Sequence, residues 1–350
     1  MLPSRLPEPD LYLPRTGEPS LRWGIVGVGW IAGEFANAVR THTAQRITAV
    51  ASRSLDRASS FAATHGIDHA LGSTEQLVTH PDVDVVYVAT PHSAHLSIGL
   101  AAIAAGKHVL IEKPITVSAA EAKTLADAAR AAGVLVMEAM WTRYLPQTSV
   151  IRKLLADGVF GEIRTVLADH GQAIPADPQH RLHRPELGGG ALLDLGVYTV
   201  QFASMALGAP TRVAAVGAMS KTGVDAYATL VLTHEGDAQS TLHTSLLTRT
   251  PMTAVIAGTE ATLSVDGVFF APSSFTLFSA DHFGPQLTWS DPTGLRLFDG
   301  LSWEATALAR FAGEGRTESP VHTLDETISV LATLDEARAQ IAASASASAS

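Results

Sequence analysis

Three clusters of residues in this 350-residue chain have types and spacing suited to chemistry. Lys113 stands in Glu112-Lys113-Pro114, directly after the apolar run His108 to Ile111. A lysine drawn partly out of water beside a cationic ring can exchange a proton with an alcohol oxygen as hydride leaves carbon. Standing alone, such a Lys-Pro pair is also an ordinary surface turn. A second run, Val85 to Ala89, ends in Thr90-Pro91-His92 with His95 close behind. The third cluster is Gly188-Gly189-Gly190-Ala191-Leu192-Leu193-Asp194-Leu195-Gly196-Val197-Tyr198. As a helix opened by glycines it sets Asp194 and Tyr198 on one face, where an aspartate can fix a hydroxyl and a phenol beside an ammonium is easier to ionise. A buried tyrosine bonded to a core aspartate reads equally well from the residues alone.

A fourth cluster binds rather than reacts. Gly27-Val28-Gly29-Trp30-Ile31-Ala32-Gly33 follows an apolar run and opens a helical one. A dinucleotide pyrophosphate needs backbone free of Cβ atoms and then a helix N-terminus, so Gly27, Gly29, Trp30, Ile31 and Ala32 are assigned to it. About 20 residues on, NAD-specific sites carry an acid for the ribose hydroxyls. Here the chain reads Ala51-Ser52-Arg53-Ser54, with Arg57 a turn later. Arg53, helped by Ser52 and Arg57, suits a 2′-phosphate, so NADP(H) is expected over NAD(H); the alternative is a solvated surface arginine.

The elements that must carry these residues follow from periodicity. Trp23 to Val26, Ile47 to Ala51, Val85 to Ala89, His108 to Ile111 and Val134 to Glu138 are nearly continuous apolar runs, separated by the alanine-rich stretches Ile31 to Arg40, Arg57 to His65, Ser93 to Ala105 and Ala119 to Ala132. That alternation predicts an α/β fold, a Rossmann-type doubly wound parallel sheet over 21–143. In such sheets ligands bind beyond the carboxyl ends of the strands, where Thr90, Pro91, His92, His95, Glu112 and Lys113 fall. After Pro146 come a helix, Thr148 to Ala156, a His- and Pro-rich loop, the glycine-opened helix, and period-two runs at Thr211 to Met219, Ala226 to Thr233, Ser240 to Thr248 and Met252 to Ala257. These predict an α+β domain over 144–319 with an open, mostly antiparallel sheet. Leu324, Ile328, Leu331 and Leu334 mark a C-terminal helix, 320–341, expected to pack back on the first domain. Residues 1–20 read as a flexible leader and the Ala/Ser alternation 342–350 as a flexible tail.

Composition narrows the function classes. A net charge of −10 with 17% charged residues argues against a nucleic-acid surface, and no signal peptide or uninterrupted apolar span argues for a membrane, so a small-molecule partner and a cytoplasmic place are expected. Cysteine is absent, which removes thiolate chemistry and Cys-ligated zinc. His180 with His183, and His92 with His95, lack a third ligand, so no metal is expected and the first pair is read as rimming a substrate cleft.

Taken together, the glycine loop, Ala89-Thr90-Pro91 with His95, Glu112-Lys113-Pro114, Met137 to Tyr144 and Gly188 to Tyr198 resemble the Gfo/Idh/MocA oxidoreductase family over about Leu21 to Arg338. The resemblance implies a catalytic Lys113 and a cofactor with Trp141 and Arg143 near it. Tyr198, where many members carry histidine, is similar to the branch of dimeric dihydrodiol dehydrogenases and NADP-dependent D-xylose dehydrogenases. That branch implies Tyr198 as proton donor or acceptor supported by Lys113, and a homodimer or higher homo-oligomer formed through the open sheet. The expected activity is NADP(H)-dependent hydride transfer at a CH–OH carbon of a sugar or cyclic diol, a small polyhydroxylated substrate. Alternatives are an NAD-dependent inositol or sugar dehydrogenase and a catalytically weak NADP(H)-binding sensor.

Overall fold

The apolar runs of the N-terminal half are strands buried on both faces, which is why they are nearly continuous in Val, Ile, Leu and Ala. The computed structural model of the chain describes residues 2–349. In chain order these are β1 (Arg22–Val26), α1 (Trp30–His42), β2 (Arg46–Ala51), α2 (Leu55–His65), β3 (His69–Leu71), α3 (Thr74–Val78), β4 (Val85–Val88), α4 (His95–Ala104), β5 (His108–Glu112), α5 (Ala119–Ala132) and β6 (Val136–Ala139). The strands pair in parallel in the order β3-β2-β1-β4-β5-β6. This is a doubly wound sheet whose order reverses between β1 and β4, the switch point beyond whose strand ends such sheets bind their ligands. Serines start the helices: Ser54, Ser73 and Ser118 accept the amides of Arg57, Gln76 and Glu121. Five strands were expected; the sixth, β3, is three residues with no apolar run to mark it.

The C-terminal half adds α6 (Pro146–Ala156), β7 (Ile163–Gly171), α7 (Val197–Leu207), β8 (Arg212–Met219), β9 (Asp225–Thr233), β10 (Gln239–Ser245), β11 (Ala254–Gly258), β12 (Ala261–Val265), β13 (Ser274–Ser279) and β14 (Gln286–Ser290). They make an eight-stranded sheet, β14-β13-β12-β11-β7-β10-β9-β8, antiparallel except where β7 meets β10. Along β9 buried and exposed residues alternate, so one face is covered and the other open. Residues 197–203 of α7 are all buried, and the helix packs against β7. The stretch Pro185–Leu207 is long and apolar enough to cross a membrane by length and composition, but with 78% of its apolar window buried it is core.

The last segment carries α8 (Leu301–Gly313) and α9 (Leu324–Ala349). The chain divides into two compact units: a Rossmann unit of residues 11–144 and 295–328, and a sheet unit of residues up to 10, 145–294 and from 329 on. The division differs from the reading of 21–143 and 144–319 because α8 belongs to the Rossmann unit. Only the first turn of α9 groups there; further along, the Gln340 amide donates to Val213 O and accepts from Ala215 N of β8 at 3.0 and 2.8 Å.

Both ends are more ordered than their composition suggests. In the leader, Asp10 N donates to Ser149 Oγ at 2.8 Å and Lys153 Nζ reaches Asp10 Oδ1 at 2.6 Å, while the Tyr12 ring lies edge-on to Tyr144 and Phe311. In the tail, helix continues to Ala349, because alanine is the best helix former and Ser344 and Ser346 bond back to the carbonyls of Gln340 and Ala342. Met1 and Ser350, the outermost residues of leader and tail, lie outside the described residues.

Candidate active site

The glycine turn after β1 separates two roles. Gly27 has φ +106°, and a Cβ there would meet Ala89 O at 2.3 Å, so packing alone demands glycine. Gly29, with φ −81°, is the N-cap of α1, and a Cβ there would meet nothing within 4 Å. Among the described residues nothing crowds a Cβ at 29, so the backbone there stands open to a ligand. No acid and no capping side chain occupies the first turn of α1, which leaves its amide dipole open to an anion. Ala32 is fully buried, so only its backbone faces that role, while Trp30 is exposed and lies edge-on to Phe298. Beyond β4, the Thr90 hydroxyl is buried with no hydrogen-bond partner among the described residues. These features fit a bound dinucleotide.

At the tip of β2, Arg53 and Arg57 are exposed and Ser52 Oγ accepts the Ser54 amide at 3.3 Å. Alongside, a shallow depression of about 400 Å³ is lined by Val28 of the glycine turn and by Asp56, Arg57, Ser60, Phe61, Thr64 and His65 of α2. Apart from Arg57, its α2 residues carry no sequence motif, which is why the sequence did not point to them.

The turn after β5 is held on both sides. Lys113–Pro114 is a cis peptide, and Lys113 is half-buried. The Tyr87 hydroxyl donates to Glu112 Oε1, and the Lys113 amide to Glu112 Oε2 at 3.3 Å. His95, fully buried, brings Nδ1 to Pro114 O and Nε2 to Thr90 O, both at 2.9 Å. A neutral ring can donate to only one of these carbonyls and a charged ring to both. His92 is buried edge-on to His95. Thus Thr90, Pro114 and His95, read from two separate motifs, are brought together, with His95 as the strut.

From the other side, Glu138 Oε1 accepts the Ile115 amide at 2.9 Å. Glu138 Oε2 meets His322 Nε2 at 2.8 Å, and His322 Nδ1 meets Glu326 Oε2 at 3.2 Å. Arg143, 3% exposed, pairs with Glu326 and donates to Val321 O. Its charge is therefore matched inside the unit. Trp141, read as its companion near a cofactor, is buried and stacked on Phe298 at 5.8 Å. Burial and Arg143 push the His322 imidazolium toward losing its proton, but the hydrogen bonds to Glu138 and Glu326 outweigh them and raise its pKa. Burial likewise works against the Glu326 anion, yet His322 and Arg143 bring its pKa down to about 2. Glu304 has neither: it is fully buried, its oxygens have no hydrogen-bond partner among the described residues, and burial, then Glu112 and Glu138, push its pKa far up. Glu138, His322 and Glu326 were missed because the links Glu138–His322 and Arg143–Glu326 span 184 and 183 residues, and Glu304 because it stands in no motif.

In the sheet unit the glycine-opened segment is not one regular helix. Leu192–Gly196 is a π-helical turn that leads into α7, so Asp194 and Tyr198 do not share the simple α-helical phase expected of residues four apart. A Cβ on Gly190 would meet Asp225 Oδ1 at 2.3 Å, while Asp225 Oδ2 accepts the Leu192 amide at 2.6 Å. Burial raises the Asp225 pKa to about 6 against that hydrogen bond. Asp194 is nearly buried and is met by Arg181 at 3.0 Å. The Tyr198 ring stacks on Phe270 at 4.5 Å with His170 at 5.4 Å. His180 and His183 are engaged locally, by the Leu182 amide and Pro175 O. Asp225, His170 and Phe270 gave no sequence signal.

A doubly wound sheet with a glycine cradle, followed by an open antiparallel sheet, defines a nicotinamide-dependent oxidoreductase. Residues 21–140 match the oxidoreductase family with an NAD-binding Rossmann fold, and 148–264 match the GFO/IDH/MocA C-terminal domain. The chain belongs to the Gfo/Idh/MocA family. It is 34% identical over 330 residues to the trans-1,2-dihydrobenzene-1,2-diol dehydrogenase of Xenopus tropicalis, covering 91% of this chain and 98% of that one. The Homo sapiens enzyme of that name is 34% identical over 326 residues, covering 92% and 97%. Among solved structures, KijD10, a 3-ketoreductase from Actinomadura kijaniata in complex with NADP and TDP-benzene, superposes with a TM-score of 0.80 at 29% identity, covering 92% and 98%.

Proposed function

We propose that this oxidoreductase interconverts a secondary alcohol or hemiacetal carbon of a sugar or cyclic diol and the corresponding carbonyl compound, with NADP(H) as partner. When bound, the dinucleotide supplies the acceptor or donor of hydride. Gly27, Gly29 and the backbone of Trp30, Ile31 and Ala32 hold its pyrophosphate; Arg53, with Ser52 and Arg57, recognises the 2′-phosphate. Thr90, Pro91, His92, His95, Glu112, Trp141 and Arg143 shape the rest of that site, His95 and Arg143 by bracing rather than by touch. Lys113 and Tyr198 take and return the proton of the substrate hydroxyl, and Asp194, with Arg181 setting its carboxylate, orients a neighbouring hydroxyl.

The observation that carries this reading is the contrast at the turn: Gly27 is required by Ala89, Gly29 by nothing in the protein. The dihydrodiol dehydrogenases and the NADP-bound ketoreductase support the substrate class and the cofactor. Lys113→Met is expected to lower kcat about 10²–10⁴-fold while NADPH binding, read by fluorescence, is retained. Near-normal turnover in that variant, across aldoses, inositols and cyclic diols, removes Lys113 from the mechanism; a kcat/KM favouring NAD over NADP removes the role of Arg53.

The protein acts in the cytoplasm, on a small polyhydroxylated substrate, without nucleic acid or membrane. A second copy covers the open sheet face, where Leu167, Val216, Tyr227 and Val231 are exposed on β7, β8 and β9. Sedimentation of a monomer at micromolar concentration argues against that pairing.

A further inference from the structure

We propose that His69, His80 and Asp82 form a binding site for a divalent zinc-class cation at the amino-terminal edge of the parallel sheet, at the other end of the strands from the glycine turn. His69 opens β3, and His80 and Asp82 lie in the connection between α3 and β4. One ligand atom from each lies within 4.8 Å of the other two, and all three residues are half-buried. His69 Nε2 stands 3.7 Å from Asp82 Oδ2, too far for a good hydrogen bond. Bonds of about 2.0–2.1 Å in a tetrahedral site set neighbouring ligand atoms about 3.4 Å apart, so a cation closes that gap by a few tenths of an ångström. The two imidazole rings face each other at 4.5 Å rather than bonding to each other.

The ligands are braced as metal ligands are. Arg22 takes Asp82 Oδ1 at 2.8 Å and fixes the carboxylate with Oδ2 toward His69. Thr48 Oγ1 donates to Asp82 O at 2.6 Å, and Lys107 Nζ holds the carbonyls of His80 and Val83 at 3.3 and 2.6 Å. The Asp82 amide donates weakly to His80 Nδ1 at 3.2 Å, a contact that binding through that nitrogen replaces. Two neutral imidazoles and one carboxylate suit zinc, with water completing the shell. The bound cation ties the three-residue edge strand β3 to the β4 connection, and because it binds only the folded chain it stabilises it.

The test is calorimetric titration of the chelator-stripped full-length protein with ZnCl2, with Co²⁺ absorption reporting geometry and thermal unfolding reporting stability. One equivalent is expected to bind and to raise Tm. His69→Ala and Asp82→Asn are each expected to lower the affinity at least tenfold and abolish the Tm rise, while His180→Ala leaves both unchanged. Unfolding in chelator identifies any variant that fails to fold, and the other then decides. The absence of saturable binding, or equal affinity in a folded His69→Ala protein, overturns the site.

Discussion

Two carboxylates, the half-buried Glu326 of the Rossmann unit and the buried Asp225 of the sheet unit, move in opposite directions from their ordinary values. Glu326 falls to about 2 and Asp225 rises to about 6. Burial raises both; what separates them is the company each keeps. Glu326 has His322 and Arg143 within hydrogen-bond reach, whereas Asp225 has backbone amides, that of Leu192 foremost, and a more distant Arg338. The Rossmann unit thus braces the turn that carries Lys113 with paired charges, while in the sheet unit Asp194 meets Arg181 and the Tyr198 ring stacks on Phe270.

The harshest way to break the contrast is Arg143→Met. It removes the cation paired with Glu326, and urea unfolding is expected to show a loss of about 3–5 kcal/mol. A loss under about 1 kcal/mol would mean that the charges are individually dispensable.

The next effect is in the pH profile. For Glu326 the folded pKa lies below the ordinary 4.5, so its contribution is fully present above pH 4.5 and is lost as pH falls toward 2. Each pKa unit is worth about 1.4 kcal/mol, so the loss is on the order of 3 kcal/mol. For Asp225 the sign reverses. Its folded pKa exceeds 3.8, so stability declines as pH rises from about 4 to 6, again by an amount on the order of 3 kcal/mol. Asp225→Asn is expected to flatten that decline alone; a profile that keeps its slope between pH 4 and 6 would assign the slope to other groups.

The mildest comparison pairs two buried threonines. Thr327 donates to Glu138 at 3.3 Å and Thr244 to the carbonyl of Ala191 at 3.2 Å. Replacing each by valine keeps the shape, and the bond to a charged acceptor is expected to cost more, about 1.5–3 kcal/mol against about 0.5–1.5. Equal losses would erase the distinction between the units.

The fold was legible where chemistry repeats locally. The apolar runs of β1, β2, β4, β5 and β6, the glycine turn and the alternation along β8 to β11 all follow from neighbours in sequence. β3 was missed at three residues; β7 was absorbed into the His- and Pro-rich loop, and β12 to β14 were not assigned although they carry the alternation. Lys113, Thr90, His95, Asp194 and Tyr198 were visible because motifs frame them, whereas Glu304, His322 and Asp225 stand in no motif.

By itself the sequence determined the parallel sheet, the cradle and the placing of Glu112-Lys113-Pro114 at a strand end, because backbone sterics and burial act over a few residues. Only the tertiary structure decided that His95 braces Pro114, that Glu138 reaches His322, that a π-turn re-phases Asp194, and that His69 faces Asp82. Those choices depend on which distant side chains are brought within about 3–4 Å, where hydrogen bonds and charge act and local periodicity carries no information.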